Sequence, residues 1–120
     1  MASVSVRYIV DDVDAAIAFY CDHLGFDEVM HPAPTFAMLA RGELRLILSA
    51  PMNGSAAGGW NRFQLQVEDL EGTVARLREA GVAFRNEIVS GVGVKQILAE
   101  DPAGNPVELY EPLLDEARLG

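Results

Sequence analysis

The chain has only one cysteine and no long apolar run. Cys21 alone cannot form an internal disulfide, which excludes the disulfide-rich small domains and favours a reducing compartment. No stretch approaches the roughly 20 apolar residues of a membrane-spanning helix. The start of the chain also lacks the basic and apolar segments of a secretory signal. We therefore expect a cytoplasmic protein with no membrane partner.

Basic residues are scarce as well. Nine Lys and Arg residues stand against 18 Asp and Glu residues, which gives a formal net charge of -9. This field repels nucleic acid, and no local basic stripe offsets it, so we expect no nucleic-acid partner. The acidity is compatible with a cationic ligand, although solubility alone explains it.

The most informative feature present is an internal repeat. Residues 9–18 (IVDDVDAAIA) reappear as residues 66–75 (QVEDLEGTVA), each position shifted by 57 (66 against 9). A repeat of about half the chain is typical of two copies of one supersecondary unit, neither of which buries its apolar face alone. We predict a single domain over residues 1–120, divided into module one at about 1–51, a linker at about 52–59, module two at about 60–112 and a C-terminal tail at 113–120.

Each copy predicts a strand, a helix and three further strands. Asp12 and Asp69 stand at helix N-cap positions, and Gly25 stands where the first helix ends. Pro32 and Pro34 are expected to break the second strand. The predicted strands are 4–10, 26–31, 35–40 and 44–49 in the first copy, and 62–67, 82–89, 94–99 and 107–111 in the second. This order predicts an α+β fold, with two βαβββ modules in tandem forming a mixed curved sheet around a central cleft.

This layout and three motifs resemble the vicinal oxygen chelate superfamily of glyoxalase I, extradiol dioxygenases and bleomycin-resistance proteins. The motifs are 10–13 (VDDV) leading into 19–20 (FY), then 24–26 (LGF), and above all 101–109 (DPAGNPVEL). The match covers almost the whole chain, and the motifs are specific when they occur together in this order. In the metal-using members, the resemblance implies four inward-facing His, Glu or Gln side chains that bind one divalent ion.

The implied metal positions of this chain carry a single metal-type ligand. In chain order they fall on Ser5, on one of Leu46, Ile47 and Leu48 depending on the register, on Arg62 and on Glu108. The guanidinium of Arg62 stays protonated and repels a cation. We therefore expect no bound metal and no cofactor.

Strand parity, combined with these family positions, predicts which side chains line the cleft. The predicted ligand-binding residues join a few polar groups to an apolar and aromatic wall, and they are Arg7, Phe36, Met38, Trp60, Arg62, Gln64, Gln66, Glu108 and Tyr110. Alternatives remain open: Phe36 and Met38 also suit a core, and Trp60 also suits a cap on the core or an interface. Arg62 and Glu108 either pair with each other or reach solvent or a dimer partner.

No nucleophile with an activating base is visible, and Glu108 is only a weak candidate for a general base. By resemblance to the bleomycin-resistance branch, we predict a metal-independent protein that sequesters an aromatic or natural-product ligand, and we expect a homodimer. The alternative is an enzyme, either a glyoxalase-type lyase or isomerase or a dioxygenase. A third possibility is a component that serves only protein–protein contact.

Overall fold

The computed structural model describes residues 4–51, 63–91 and 93–114. Its elements in chain order are β1 (Val4–Ile9), α1 (Val13–Leu24), β2 (Asp27–Ala33), β3 (Phe36–Arg41), β4 (Leu44–Ser49), β5 (Phe63–Gln66), α2 (Leu70–Glu79), β6 (Ala83–Phe84), β7 (Val89–Ser90), β8 (Val94–Glu100) and β9 (Pro106–Pro112). The predicted α+β class with two successive βαβββ modules is confirmed. The elements form two compact units: the first holds β1 to β4, α1 and the segment Asp101–Asn105, and the second holds β5 to β9 and α2.

Both helices begin at the repeated aspartates. Asp12 Oδ1 accepts a hydrogen bond from the backbone N–H of Ala15 at 3.1 Å, and Asp69 Oδ1 accepts one from Gly72 at the same distance. Gly25 adopts a left-handed conformation with φ of 75° after α1, where a residue with a Cβ would be strained. These three predicted caps are confirmed, and the two N-caps differ only in having alanine or glycine at the donor position.

In the first unit, α1 covers one face of a four-stranded sheet ordered β1-β4-β3-β2. Strand β1 runs parallel to β4, and the other neighbours are antiparallel. Alternation along the strands turns one set of side chains toward α1; the buried members of this set are Tyr8, Ala37, Leu39, Leu46 and Leu48. The face turned away from α1 is called the open face below, and β1, β3 and β4 present Arg7, Met38 and Ile47 on it.

The prediction that Pro32 breaks the second strand was wrong. Strand β2 continues through Pro32 to Ala33, with register shifts on either side of Met30. Because β2 is at the edge of its sheet, the N–H that proline lacks can face outward without removing a ladder hydrogen bond. The position of the strand in the sheet therefore overrides the local signal.

In the second unit, α2 packs on a sheet ordered β5-β9-β8-β6, and β7 also pairs with β8. Strand β5 runs parallel to β9, as β1 runs parallel to β4. The buried side chains of this layer are Leu70, Val74 and Leu77 on α2, and Phe63, Leu65, Ile97, Ala99, Val107 and Leu109 on the sheet. Among the described residues, no helix is both long and apolar enough to cross a membrane.

The single strand predicted for 82–89 is instead two short strands, β6 and β7. Asn86 provides the reason, because its side-chain Oδ1 accepts the backbone N–H of Leu98 at 2.9 Å. A side chain thus occupies a ladder position that a main-chain carbonyl would otherwise fill. The main chain leaves the sheet at this point and returns at Val89.

Candidate functional site

The open face of the first unit carries one arginine beside an apolar row. Cross-strand register places Arg7 opposite Ile47, Ile47 opposite Met38, and Met38 opposite Met30. Phe36 lies in the next row, two residues along β3 from Met38. The structure therefore brings three predicted site residues, Arg7, Phe36 and Met38, onto one face of one sheet.

Register also identifies the first-copy counterpart of Glu108, which sequence alone left among three residues. In the second unit, Gln64 on β5 pairs with Glu108 on β9. The repeat maps Gln64 onto Arg7 (64 − 57 = 7), and Arg7 pairs with Ile47 on β4. Ile47 is therefore the counterpart of Glu108, and an isoleucine side chain offers no atom to a metal ion.

Glu108 is buried at 4% exposure and is held by an amide. Gln64 Nε2 donates a hydrogen bond to Glu108 Oε2 at 2.7 Å. This pairing was not anticipated, since the sequence pointed to Arg62 as the candidate partner. Arg62 and Trp60 lie outside the described residues.

Tyr110 and Gln66 form the next row of the same face, because Gln66 pairs with Tyr110 across β5 and β9. Tyr110 is buried at 6% exposure. Burial raises the pKa of its phenol, and the negative charge of Glu108 raises it further. The phenol is thus a neutral hydrogen-bond donor at physiological pH, two residues along the strand from a carboxylate acceptor.

The residues at the implied metal positions do not fit a divalent ion. Of the three that the structure describes, Ser5 and Ile47 supply no carboxylate or imidazole, and Glu108 already accepts the Gln64 amide. Divalent ions in proteins take four or more ligands, mainly His, Cys, carboxylates, carbonyls and water. No step of chemistry is assigned to a metal at this position.

A separate acidic cluster lies at the start of α2. Carboxylate oxygens of Asp69, Glu71 and Glu111 lie within 4.8 Å of one another. Lys95 Nζ lies 2.8 Å from Glu71 Oε1 and 3.7 Å from Glu111 Oε1, and the backbone N–H of Leu70 donates to Glu111 Oε1 at 2.9 Å. The lysine and the helix N-terminus therefore account for these acidic groups without an ion.

A depression of about 360 Å³ on the second unit contains none of the predicted site residues. Arg78 lies over the ring of Phe84, 5.3 Å from its centroid, and its Nη2 lies 3.2 Å from Glu87 Oε1. Arg85 Nε lies 2.7 Å from Glu100 Oε2. Both guanidinium groups already have local partners, so the depression is explained as a surface feature of the loop after β6.

The segment 101–106, part of the motif that carried the resemblance, has a structural role of its own. Asp101 Oδ2 accepts hydrogen bonds from Tyr20 Oη at 2.9 Å and from Asn105 Nδ2 at 3.0 Å. Asn105 Nδ2 also donates to the carbonyl of Ile9 at 2.9 Å. This network ties the turn to the end of β1, the strand that carries Arg7. The sequence did contain an indication of this network, since Tyr20 and Asn105 both belong to the motifs that supported the resemblance.

Known proteins that resemble this chain share its fold. A family model described as the Glyoxalase/Bleomycin resistance protein/Dioxygenase superfamily matches residues 3–109. A crystal structure of TnmS3, an antibiotic binding protein from Streptomyces sp. CB03234, is 26% identical with a TM-score of 0.78, over 93% of this chain and 97% of that one. A superfamily member from Sphaerobacter thermophilus DSM 20745 is 27% identical with a TM-score of 0.77, over 92% and 98%.

A lactoylglutathione lyase from Agrobacterium tumefaciens is 24% identical with a TM-score of 0.75, over 92% of each chain. At that identity, the likeness concerns the fold alone. No curated protein matches the chain.

Proposed function

Because the chain belongs to the Glyoxalase/Bleomycin resistance protein/Dioxygenase superfamily, we propose that it is a metal-independent binding protein that sequesters an aromatic or natural-product ligand. The observation that carries this proposal is Ile47 at the position equivalent to Glu108. With isoleucine there and serine at position 5, a divalent ion would find one carboxylate where it needs several ligands. The side chains on these sheet faces suit a small-molecule ligand but do not supply enough ligands for a divalent ion.

The composition of the two faces supports ligand binding. Phe36, Met38 and Ile47 provide apolar surface in the first unit, and Glu108 and Tyr110 provide an acceptor and a neutral donor in the second. Apolar walls with a few fixed polar groups are typical of small-molecule sites. The description of TnmS3 as an antibiotic binding protein gives this proposal a precedent on the same fold. We assign ligand contact to the predicted set: Arg7, Phe36, Met38, Trp60, Arg62, Gln64, Gln66, Glu108 and Tyr110.

The second candidate is a glyoxalase-type lyase or isomerase, or a dioxygenase. The buried carboxylate of Glu108 is the observation in its favour, because it is the one metal-type ligand or general base at the implied positions. The Gln64 amide that holds this carboxylate favours the binding protein, since it occupies one of the oxygens that a metal would use.

Metal analysis separates the two candidates. The protein, purified without affinity metal, would be dialysed against manganese, iron, nickel and zinc in turn and analysed by inductively coupled plasma mass spectrometry. We expect far less than one ion per chain. A stoichiometric ion that is lost in Glu108→Ala and kept in Glu43→Ala, a control at an exposed turn carboxylate, would replace the binding proposal with the enzyme.

Ligand binding is tested by fluorescence, since Trp60 is the only tryptophan. Aromatic natural products should quench it saturably with no product formed. By calorimetry, Trp60→Ala should bind such a ligand more weakly while its circular dichroism stays unchanged. Unchanged affinity would remove Trp60 from the site.

The proposal includes a homodimer in the cytoplasm. Light scattering should give twice the chain mass of 13.0 kDa. A mass of a single chain, independent of concentration, would contradict the dimer.

A further inference from the structure

Among the described residues, Arg7 is a cation without a partner, and it lies beside an apolar row. Its side chain is exposed on β1, and within residues 4–51, 63–91 and 93–114 it has no hydrogen bond or ion pair. Other arginines of the described chain are engaged: Arg45 Nη1 donates to the carbonyl of Gly42 at 3.0 Å, and Arg78 pairs with Glu87. An unpaired arginine is unexpected in a protein with twice as many acidic as basic residues.

Ser49 provides a second, independent observation on the same face. It lies on β4 two residues beyond Ile47, pairs with Ile9 and Phe36, and is only 8% exposed. Its Oγ has no hydrogen-bond partner among the described residues. Buried hydroxyl groups in folded proteins are nearly always satisfied by protein, water or ligand, so this one calls for an acceptor.

Arg7 and Ser49 are close enough to share one ligand group. Because Arg7 pairs with Ile47, Ser49 is its diagonal neighbour on the parallel strand β4, and a strand spacing of about 4.8 Å with a rise of about 3.3 Å per residue puts such positions about 8 Å apart. The long arginine side chain can cover much of that distance. The row that starts at Arg7 continues with the uncharged side chains of Ile47 and Met38, and the other diagonal neighbour of Arg7 on β4 is Arg45.

We infer that the ligand is a planar aromatic carboxylate, an inference that rests on the proposed function and names its ligand class. The carboxylate pairs with the guanidinium of Arg7 and accepts a hydrogen bond from the Ser49 hydroxyl. The aromatic body lies on Met38 and Phe36, where a thioether and a ring both contact aromatic surfaces favourably. This preference for an anion opposes the net charge of the protein, so it is a local property of the open face.

The test compares two probes of nearly the same shape, 2-naphthoate and the neutral 2-naphthamide, by isothermal titration calorimetry at neutral pH. Naphthoate should bind at least about 10-fold more tightly, because a charge-assisted hydrogen bond is the stronger kind. Arg7→Met should lower the affinity for naphthoate by about 10- to 100-fold and change the affinity for naphthamide by about twofold at most. Ser49→Ala should weaken naphthoate by about 3- to 10-fold.

Arg45→Met is the matched control, because Arg45 lies on the same face but already donates to the main chain. It should leave naphthoate affinity within about twofold of the original. Equal affinity for the two probes, or a loss in Arg45→Met as large as in Arg7→Met, overturns the inference while leaving the proposed function standing. Failure of naphthoate to bind also overturns it. The proposed function fails separately, when metal is retained or when no aromatic compound quenches Trp60.

Discussion

Removing the Asp101 carboxylate should weaken the attachment of the turn after β8 to α1. Asp101 is 4% exposed, and its two oxygens accept four hydrogen bonds. Tyr20 Oη and Asn105 Nδ2 donate to Oδ2, and the backbone N–H groups of Ala103 and Asn105 donate to Oδ1 at 2.9 and 2.8 Å. The substitution Asp101→Ala removes all four acceptor contacts at once.

The expected loss follows from the buried donors that lose their hydrogen bonds to the Asp101 carboxylate. Tyr20 is fully buried, and Asn105 is 2% exposed, so water does not reach either group freely. Loss of the hydrogen bonds that Tyr20 Oη and Asn105 Nδ2 donate to this buried carboxylate, at about 1–3 kcal/mol each, predicts a loss of about 2–6 kcal/mol in the free energy of unfolding. Tyr20→Phe removes one donor and leaves the carboxylate three, so it should cost less, about 1.5–3 kcal/mol.

Urea unfolding followed by far-ultraviolet circular dichroism measures both values. Asp22→Ala is the control, because Asp22 is exposed on α1 and substitutions of this kind change stability by at most about 0.5 kcal/mol. A loss in Asp101→Ala no larger than that in Tyr20→Phe would refute the reasoning, since it would mean that the other three hydrogen bonds contribute nothing.

Three further predictions concern single side chains. Gly72→Ala should stabilise the protein by about 0.5–1 kcal/mol in urea. The new Cβ would overlap Asp69 Oδ2, so the Asp69 side chain must rotate. Ala15 occupies the equivalent position of α1, and the Asp12 cap is intact there. A loss of stability would show that the Asp69 side chain cannot rotate away. Burial, aided by the neighbouring carboxylate, raises the pKa of Tyr20 well above 10.0, so the folded protein keeps a proton that the unfolded chain loses. The contribution of Tyr20 to the free energy of unfolding should therefore be constant below about pH 10 and fall above it by up to about 1.4 kcal/mol per pH unit, and Tyr20→Phe should reduce the measured slope above about pH 10. Glu108→Gln should keep the fold, with a loss of about 0.5–1.5 kcal/mol, because its amide oxygen can still accept from Gln64; a severe loss would reveal an obligatory buried charge pair.

The helix caps were predictable because each depends on a few neighbouring residues. The side chains of Asp12 and Asp69 accept N–H groups in the first turn of the helix that follows each of them, and Gly25 ends α1. The structure confirms all three caps. The repeat made these predictions stronger, since two copies of the same pattern supported one plan. The order of elements followed from the same local signals.

The extents of β2, β6 and β7 were not predictable, because each depends on a strand distant in the sequence. Pro32 is tolerated because, in the part of the chain that the structure describes, β2 pairs only with β3 and is the edge of its sheet. Asn86 interrupts the strand after α2 because it reaches Leu98, 12 residues away. Local propensity contains no information about either contact.

For the candidate site, the sequence by itself determined which side chains share a face, and only the tertiary structure decided which of them meet. Alternation with a period of two is a property of any extended chain, so it placed Gln64 with Gln66, and Glu108 with Tyr110. Three features depend on strand register: the 2.7 Å contact of Gln64 with Glu108, the identity of Ile47 as the counterpart of Glu108, and the position of the Ser49 hydroxyl, which has no hydrogen-bond partner among the described residues. Register is fixed by the packing of whole sheets against their helices, and a shift of one residue would turn every side chain of a strand to the other face.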